Sequence, residues 1–463
     1  MTIASAASSA ELPEHSREYR LRRFLNWFPL GLTYALLYMG RYNLTVSQTA
    51  LGDLMPKADF GTIFGVAAWV YGVSFLFNGP LTDRIGGKRG MLIGASGACL
   101  ANICMGFYLL HVLNLPDPKS APLKLVFTLL YAVNMYFQSY GAVSIVKVNA
   151  HWFHVRERGV FSGVFGAMIS MGLYLAFDVN EKILRLAQSH GLPGVLAARW
   201  LFFGPALLLA VFFLIEAFLL RDRPALAGFK DFDTGDASSG EDDVQPPALE
   251  VVKKVLTHPV ILTIACIEFC TGAIRDGVNQ WFKIFAKEHI LAGATGGWKY
   301  TNDHWGLMLM IAGITGGMLA GVLSDKVFHS RRAPAAGLLY GAIFVATLLM
   351  IAFLQNGWVL GLLVFVMAIS VIGTHGVLSG TATMDFGGRK GAATAVGIID
   401  GFVYLGAGAQ ALSLGYLTSR SWSYWPLFLL PFSVVGFLLL LRIWNAKPAA
   451  RKQPIPIEIE EAP

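Results

Sequence analysis

Twelve long runs of apolar residues divide the 463-residue sequence, and each can cross the hydrocarbon core of a bilayer, which takes about 20 helical residues. Backbone groups in hydrocarbon must be hydrogen-bonded within the protein, and these runs lack the alternating pattern of barrel strands. The sequence therefore predicts an all-α membrane protein. We predict spans at residues 24–47, 60–80, 88–110, 124–147, 159–177, 199–220, 259–285, 305–323, 334–355, 357–381, 392–418 and 425–443.

Composition and charge agree with this class. Hydrophobic residues make up 55% of the chain and charged residues 14%, against about 25% charged in soluble domains. The net charge of +7 does not indicate a nucleic-acid partner, because the basic residues are spread over short loops rather than gathered in one patch. The four cysteines lie in apolar runs without metal-site spacing. We therefore expect no metal and no cofactor, with the lipid bilayer as the surroundings.

The distribution of basic residues predicts the topology and the domains. Of 36 lysines and arginines, 23 lie in tails and loops on the side of both termini and ten on the other side, which favours cytoplasmic termini. The polar, acidic segment between the sixth and seventh spans has the composition of a flexible linker. We predict an N-terminal tail at 1–23, a six-helix bundle at 24–220, a linker at 221–258, a second six-helix bundle at 259–443 and a C-terminal tail at 444–463.

Two loops repeat between the halves, as expected of a transporter built from two related bundles. The segment Gly79-Pro-Leu-Thr-Asp83-Arg-Ile-Gly-Gly-Lys-Arg follows the second span, and Gly321-Val-Leu-Ser-Asp325-Lys follows the eighth. Such charges can join the bundles on one side of the membrane and release them, or they can only anchor the loops. We predict a gating motif made of Gly79, Asp83, Arg84, Gly86, Lys88, Arg89, Asp325, Lys326 and Arg331.

Two arginines lie deep within predicted spans. Arg41 and Arg275 each lie about 16 residues from the near edge of their helices, or about 24 Å. An uncompensated arginine at the bilayer centre costs roughly 2.5–3.5 kcal/mol on insertion scales, so a function or a partner must offset it. Each arginine belongs to a polar stripe with spacings of three and four. Two guanidinium groups facing one cavity would suit a phosphate, whereas the alternative is that both reach the headgroups. The stripes are Tyr34, Tyr38, Arg41 and Thr45, and Glu268, Thr271, Arg275 and Asn279.

The sequence resembles a known family at several of these positions. The segment from Gly79 is similar to the loop signature of the major facilitator superfamily. The runs at 40–44, 149–159 and 221–224, together with Arg275 and Trp281, resemble the organophosphate/phosphate antiporters. The resemblance implies the major facilitator fold, with twelve transmembrane helices in two pseudo-symmetric six-helix bundles, and makes Arg41 and Arg275 the phosphate ligands of a central cavity.

Other polar residues in the spans are further candidates. Lys147 either lines the cavity or reaches the membrane surface, and Asp400 suits a charge partner of an arginine or a proton site. His375 titrates near neutral pH when exposed to water, although a hydrogen-bonded structural histidine is an alternative. The predicted substrate-binding set is Arg41, Arg275, Tyr38, Tyr42, Lys147, Gln138, Trp281, Asp400 and His375.

The chain departs from the family at two positions. Tyr42 stands where the sugar-phosphate exchangers have lysine, and Ile169 stands where they have histidine. One positive charge and one titratable group are therefore missing, so the resemblance does not identify the phosphate ester.

These observations predict a transporter rather than an enzyme. We expect a monomer in a bacterial-type inner membrane that exchanges a small organophosphate for inorganic phosphate. The family also contains hexose-phosphate sensors, so a membrane sensor that signals to a kinase is one alternative. A carrier for another organic anion, coupled to protons through Asp400 or His375, is the other.

Overall fold

The computed structural model describes residues 15–154, 157–232, 234, 257, 259–329, 331–382 and 392–446. In that part of the chain the first six long helical units form the N-terminal half. Two units are interrupted, α4 at Ser139 and α5 by a π-helical turn at Leu175–Val179. The units are α1 (Arg17–Leu51), α2 (Lys57–Ile85), α3 (Gly87–Leu113), α4 (Leu123–Gln138 and Tyr140–Trp152), α5 (Arg158–Tyr174, continued by Asn180–Ser189) and α6 (Trp200–Leu219).

The second six units follow in the C-terminal half. Here α7 is interrupted at Gln280, and π-helical turns extend α8 over Leu323–Val327 and α10 over Gly376–Ala382. The units are α7 (Pro259–Asn279 and Trp281–Leu291), α8 (Trp305–Val322), α9 (Arg332–Ala352), α10 (Gly357–His375), α11 (Ala392–Arg420) and α12 (Tyr424–Arg442).

The predicted fold class is confirmed. Every predicted span overlaps one of the twelve units, and the largest overshoot is at the end of α9, which stops at Ala352 where the prediction ran to residue 355. Eight helices in the described residues are long and apolar enough to cross a membrane. Those eight do not include α1, α4, α5 or α7, the units that carry Arg41, Gln138, Asp178 and Arg275. The polar residues of the interior therefore lie largely on helices that are interrupted or that carry charged residues.

The two halves pack against each other mainly through α2 with α11 and α5 with α8. We call the side on which α1 begins and α6 ends the terminal face, and the opposite side the distal face. A Cβ at Gly61 of α2 would run into the carbonyl oxygen of Ala411 in α11, and one at Gly72 would lie 3.1 Å from the carbonyl oxygen of Gly401. Glycine therefore lets the two backbones approach closely, as small residues do in membrane helix pairs.

Gly79, nearer the terminal face, has a more open environment. A Cβ at Gly79, in the gating motif, would meet no atom within 4 Å. In this arrangement α2 therefore approaches α11 most closely at glycines nearer the distal face.

Candidate functional site

Arg41 is completely buried and its guanidinium group is held from three sides. Nε donates to Oε1 of Gln138 in α4 at 2.9 Å, Nη2 to the hydroxyl of Tyr71 in α2 at 3.0 Å, and Nη1 to the hydroxyl of Tyr404 in α11 at 3.0 Å. The ring of Tyr38 lies 4.6 Å from Cζ. Hydrogen bonds and ring faces thus offset the cost of an intramembrane cation. Arg41 does not reach the headgroups.

A chain of amide side chains orients Gln138. Its Nε2 donates to Oδ1 of Asn134 at 3.1 Å, and Nδ2 of Asn102 donates to the same oxygen at 3.2 Å. Nδ2 of Asn43 in turn donates to Oδ1 of Asn102 at 2.7 Å. With its amino group engaged, Gln138 presents its carbonyl oxygen to Arg41. We call Gln138, Asn134, Asn102 and Asn43 the amide chain.

Arg275 is the pseudo-equivalent residue of the second half, and its environment differs. Its side chain is 14% exposed, and within the described residues its buried Nε and Nη2 have no hydrogen-bond partner. Nε lies 3.5 Å from Oδ1 of Asp276, within ion-pair range but without a hydrogen bond. A buried donor left unpaired costs about 1–3 kcal/mol. This guanidinium group therefore has two nitrogens whose hydrogen-bonding capacity the described residues leave unused.

Tyr404 lies between the two arginines. Its hydroxyl accepts the hydrogen bond from Arg41, and its ring centroid lies 6.0 Å from Cζ of Arg41 and 5.4 Å from Cζ of Arg275. The Tyr404 ring also packs 4.3 Å from that of Tyr71. Tyr404 of α11 thus contacts the arginine of each half.

Asp276 is a fully buried carboxylate beside Arg275. The hydroxyl of Tyr42 donates to its Oδ1 across the two halves at 3.2 Å, while its Oδ2 has no hydrogen-bond partner among the described residues. A hydroxyl stabilises the carboxylate without cancelling its charge. Asp276 therefore keeps a negative charge that offsets the charge of Arg275.

A second polar group lies in the C-terminal half. Nδ1 of His375 in α10 lies 2.9 Å from Oε2 of Glu268 in α7, and Glu268 is completely buried. The hydroxyl of Ser379 donates to Oδ1 of Asp400 in α11 at 2.6 Å. Three helices thus bring Glu268, His375 and Asp400 together. We call these three residues the acidic–histidine cluster.

Ion pairs join the two halves at the distal face. Glu181 at the end of α5 lies 2.8 Å from Nζ of Lys287 and 3.8 Å from Nζ of Lys283, both in α7. Arg185 pairs with Asp303 at 2.5 Å. Other contacts across the halves pair Lys57 with Glu288 at 3.0 Å and the Asp178 carboxylate with the backbone N–H groups of Gly306 and Leu307 at 2.7 and 2.9 Å. The structure is therefore closed at the distal face.

Charges of the gating motif pair within their own halves. Asp83 lies 2.9 Å from Lys147, and Asp325 lies 2.7 Å from Arg332. The Lys88 backbone N–H donates to Asp222 and its Nζ to the carbonyl oxygen of Ala217, both at 2.7 Å. The other motif residues Arg84, Arg89, Lys326 and Arg331 are exposed, and Gly86 has a left-handed φ of 91°. In this arrangement the described motif contacts anchor each half separately.

Several predicted site residues lie elsewhere. Lys147 contacts Asp83 in the gating motif rather than the arginines, because it lies near the terminal end of α4. Trp281 is completely buried, donates to Oε1 of Gln410 at 3.1 Å, and packs 5.6 Å from Phe60 of the other half. Trp281 therefore belongs to the closure at the distal face, and Lys147 to the contacts of the gating motif within the N-terminal half. Thr271, predicted on the arginine stripe, instead faces Tyr340 of α9 at 3.2 Å.

Sequence reasoning missed three residues of this centre: Tyr71, Tyr404 and Asp276. Tyrosines in apolar helices are usually packing residues, so their hydroxyl contacts with Arg41 gave no sequence signal. Asp276 carried a usable signal. An intramembrane carboxylate directly after an intramembrane arginine indicates a charge partner.

Comparisons with known proteins identify relatives of this chain. A sequence profile described as the Major Facilitator Superfamily matches residues 30–411. A glycerol-3-phosphate transporter of Bacillus subtilis is 24% identical over 93% of each chain, and a probable hexose phosphate transport protein of Chlamydia pneumoniae is 26% identical over 93% of each. The membrane sensor protein UhpC of Salmonella typhimurium is 25% identical over 96% of each. A bacterial homologue of the lysosomal transporter Spinster, in an inward-facing and unoccupied conformation, shares the fold with a TM-score of 0.67 at 15% identity, over 94% of this chain and 99% of that one.

Proposed function

Because the chain belongs to the Major Facilitator Superfamily, we propose that it exchanges a small organophosphate for inorganic phosphate by alternating access. Superfamily transporters are not enzymes, and the family match together with the eight described helices that are apolar enough to cross a membrane makes this one an integral membrane protein. The proposed substrate class comprises sugar phosphates, glycerol phosphate and phosphoglycerate. The relatives named for glycerol 3-phosphate and hexose phosphate transport support this class.

The observation that carries the proposal is the pair of unpartnered N–H groups on Arg275 beside Tyr404. A phosphate at this point would accept two hydrogen bonds from the planar guanidinium group, which a lysine cannot provide in the same geometry. Arg41 lies on the other side of the same tyrosine and supplies the second positive charge. An anion bound there would attract the arginine of each half. It would thereby favour the conformational change that alternating access requires.

Transport follows from closing one face while opening the other. The distal ion pairs hold the present state, and opening that face requires Glu181 to leave Lys283 and Lys287. The gating-motif charges, including Asp83 and Asp325, would then join the halves at the terminal face. We place the protein in a bacterial plasma membrane with cytoplasmic termini and assign it as a monomer, with inorganic phosphate as the counter-substrate.

Exchange of labelled phosphate in proteoliposomes tests the proposal. Vesicles loaded with inorganic phosphate should take up labelled phosphate, and Arg275→Lys should lower the initial rate about 100-fold because the bidentate contact is lost. Arg420→Lys, at the exposed distal end of α11, is the matched control and should keep the wild-type rate. A wild-type rate in Arg275→Lys would refute the anion site.

The substrate is identified by competition. Glycerol 3-phosphate, glucose 6-phosphate and 3-phosphoglycerate should each compete with labelled phosphate to different extents, whereas dicarboxylates without phosphate should not. Competition by carboxylates alone would favour the alternative of a carrier for another organic anion.

A membrane sensor is a second candidate, supported by the similarity to UhpC over 96% of this chain. A sensor would bind a phosphate ester at the same arginines without moving it. Saturable binding to purified protein together with no exchange above that of empty vesicles would favour this candidate.

A further inference from the structure

Three ionisable side chains from three helices gather on the terminal side of Arg275. Glu268 of α7 contacts His375 of α10 at 2.9 Å, and Asp400 of α11 is close enough to interact electrostatically with both. Glu268 lies seven residues before Arg275, or about 10 Å along the helix towards the terminal face. The acidic–histidine cluster therefore lies between the anion site and the face that the distal ion pairs leave free to open.

One carboxylate oxygen of the cluster lacks a hydrogen-bond partner among the described residues when the cluster carries no proton. Glu268 is 0% exposed, and within the described residues its Oε1 has no hydrogen-bond partner. A buried carboxylate with one unpaired oxygen is costly when ionised, and the cost falls when a proton enters the pair. His375 is 29% exposed, so water can deliver that proton to the imidazole.

The charged and titratable groups that face the cluster are few in the described residues. Helix α7 contributes Arg275 and the thiol of Cys270 besides Glu268, and α11 contributes Asp400. Helix α9 contributes the hydroxyl of Tyr340, which is already bonded to Thr271. The α8 segment Trp305–Val322 contains no charged side chain.

The charges around the centre leave it short of positive charge. The two arginines, Arg41 and Arg275, share this region with three carboxylates, those of Glu268, Asp276 and Asp400. A phosphate anion adds further negative charge in a region where unbalanced charge is expensive. A proton on the cluster removes part of that imbalance, so binding of an anion favours binding of a proton.

We propose that Glu268, His375 and Asp400 form a proton-binding site that couples movement of the anion held by Arg275 to movement of a proton. This inference rests on the proposed function, because it takes phosphate as the anion. The proton comes from water on the open side and binds the cluster as the anion binds Arg275. It returns to water on the opposite side when the anion leaves, and no covalent bond other than the N–H or O–H bond is made or broken.

Calorimetry of inorganic phosphate binding to the full-length protein in detergent tests the coupling. Titrations in two buffers of different ionisation enthalpy should show uptake of about one proton per bound phosphate, with a Kd that rises about tenfold per pH unit between about pH 6 and pH 8. Glu268→Gln should bind phosphate with less proton uptake and a flatter pH dependence. His375→Gln is the second variant, in case Glu268→Gln does not fold.

The matched control is Glu216→Gln, which alters a buried carboxylate on α6 of the other half and should keep the wild-type proton uptake. Phosphate binding without proton uptake by the wild-type protein would overturn the coupling and leave the proposed function intact. Unchanged proton uptake in Glu268→Gln or His375→Gln would place the proton on the phosphate itself and would also overturn the site. No phosphate binding by the wild-type protein would refute the proposed function and this inference with it.

Discussion

Arg41 and Arg275 hold corresponding places in the two halves, but they differ in burial and in hydrogen bonding. Arg41 is completely buried, and each of its three guanidinium nitrogens donates a hydrogen bond to a polar side chain. Arg275 is 14% exposed, has two unpartnered nitrogens among the described residues, and lies beside the carboxylate of Asp276. Hydrogen bonds within the protein therefore hold Arg41 in place, whereas two nitrogens of Arg275 have no partner among the described residues.

This difference indicates how one site can serve two requirements. A membrane protein must compensate a buried cation in the absence of substrate, and the amide chain with Tyr71 and Tyr404 does so for Arg41. A transporter must also gain free energy when the substrate binds, and under the proposed function the unpaired donors on Arg275 would supply that gain. Tyr404 contacts both arginines, so a displacement of Arg275 on binding would also affect the contact with Arg41 in the other half.

The largest expected difference concerns stability. Arg41→Lys should lower the free energy of unfolding by at least about 3 kcal/mol, because an ammonium group cannot reach Gln138, Tyr71 and Tyr404 together. Arg275→Lys should change it by less than about 1 kcal/mol, because it breaks no hydrogen bond. Denaturation in mixed micelles measures both values, with Arg420→Lys as the surface control. Equal losses in the two variants would contradict the distinction.

The next effect concerns the amide chain. Gln138→Leu should destabilise the protein by about 2 kcal/mol, since it leaves Nε of Arg41 without its acceptor and removes one of the two donors to Oδ1 of Asn134. Thermal unfolding in detergent measures the change. Gln188→Leu removes an exposed amide at the end of α5 and should leave the melting temperature near that of the wild-type protein. A shift of the same size in both variants would show that the amide chain does not hold Arg41.

The sequence predicted the fold well because its strongest signal is local. Runs of about 20 apolar residues require helices in hydrocarbon, whatever their neighbours. The depths of Arg41 and Arg275 followed from counting residues along each helix, and the structure brings both to Tyr404. Their roles as ligands stay a prediction.

What sequence reasoning could not supply was the partner of each polar group. The sequence position of Lys147 was compatible with the cavity and with the membrane surface. Only the packing of α4 against α2 shows that its side chain forms an ion pair with Asp83. Tyr404 and Tyr71 resembled ordinary aromatic packing residues. The rotation of a helix about its axis decides which of them reaches an arginine, and that rotation depends on contacts between distant segments.

A smaller effect would sharpen the description of Arg275. Asp276→Asn should lower the Kd for inorganic phosphate about fivefold, or about 1 kcal/mol, because it removes the negative charge next to the guanidinium group. Asparagine still accepts the hydrogen bond from Tyr42, so the contact between the halves is kept. Asp53→Asn, which changes a highly exposed carboxylate in the distal loop, is the control for a general charge effect. Weaker phosphate binding in Asp276→Asn would show that Asp276 positions Arg275 rather than competing with the ligand.

The smallest expected effect separates the two tyrosines that accept hydrogen bonds from Arg41. Tyr404→Phe and Tyr71→Phe each remove one hydroxyl acceptor and keep the aromatic ring, but only Tyr404 also faces Arg275. We expect Tyr404→Phe to weaken phosphate binding about threefold, or about 0.7 kcal/mol, and Tyr71→Phe to weaken it less than about twofold. Calorimetric titration of each variant with inorganic phosphate gives both constants. If the two changes are equal, the Tyr404 hydroxyl serves Arg41 alone, and the coupling between the arginines depends on the Tyr404 ring.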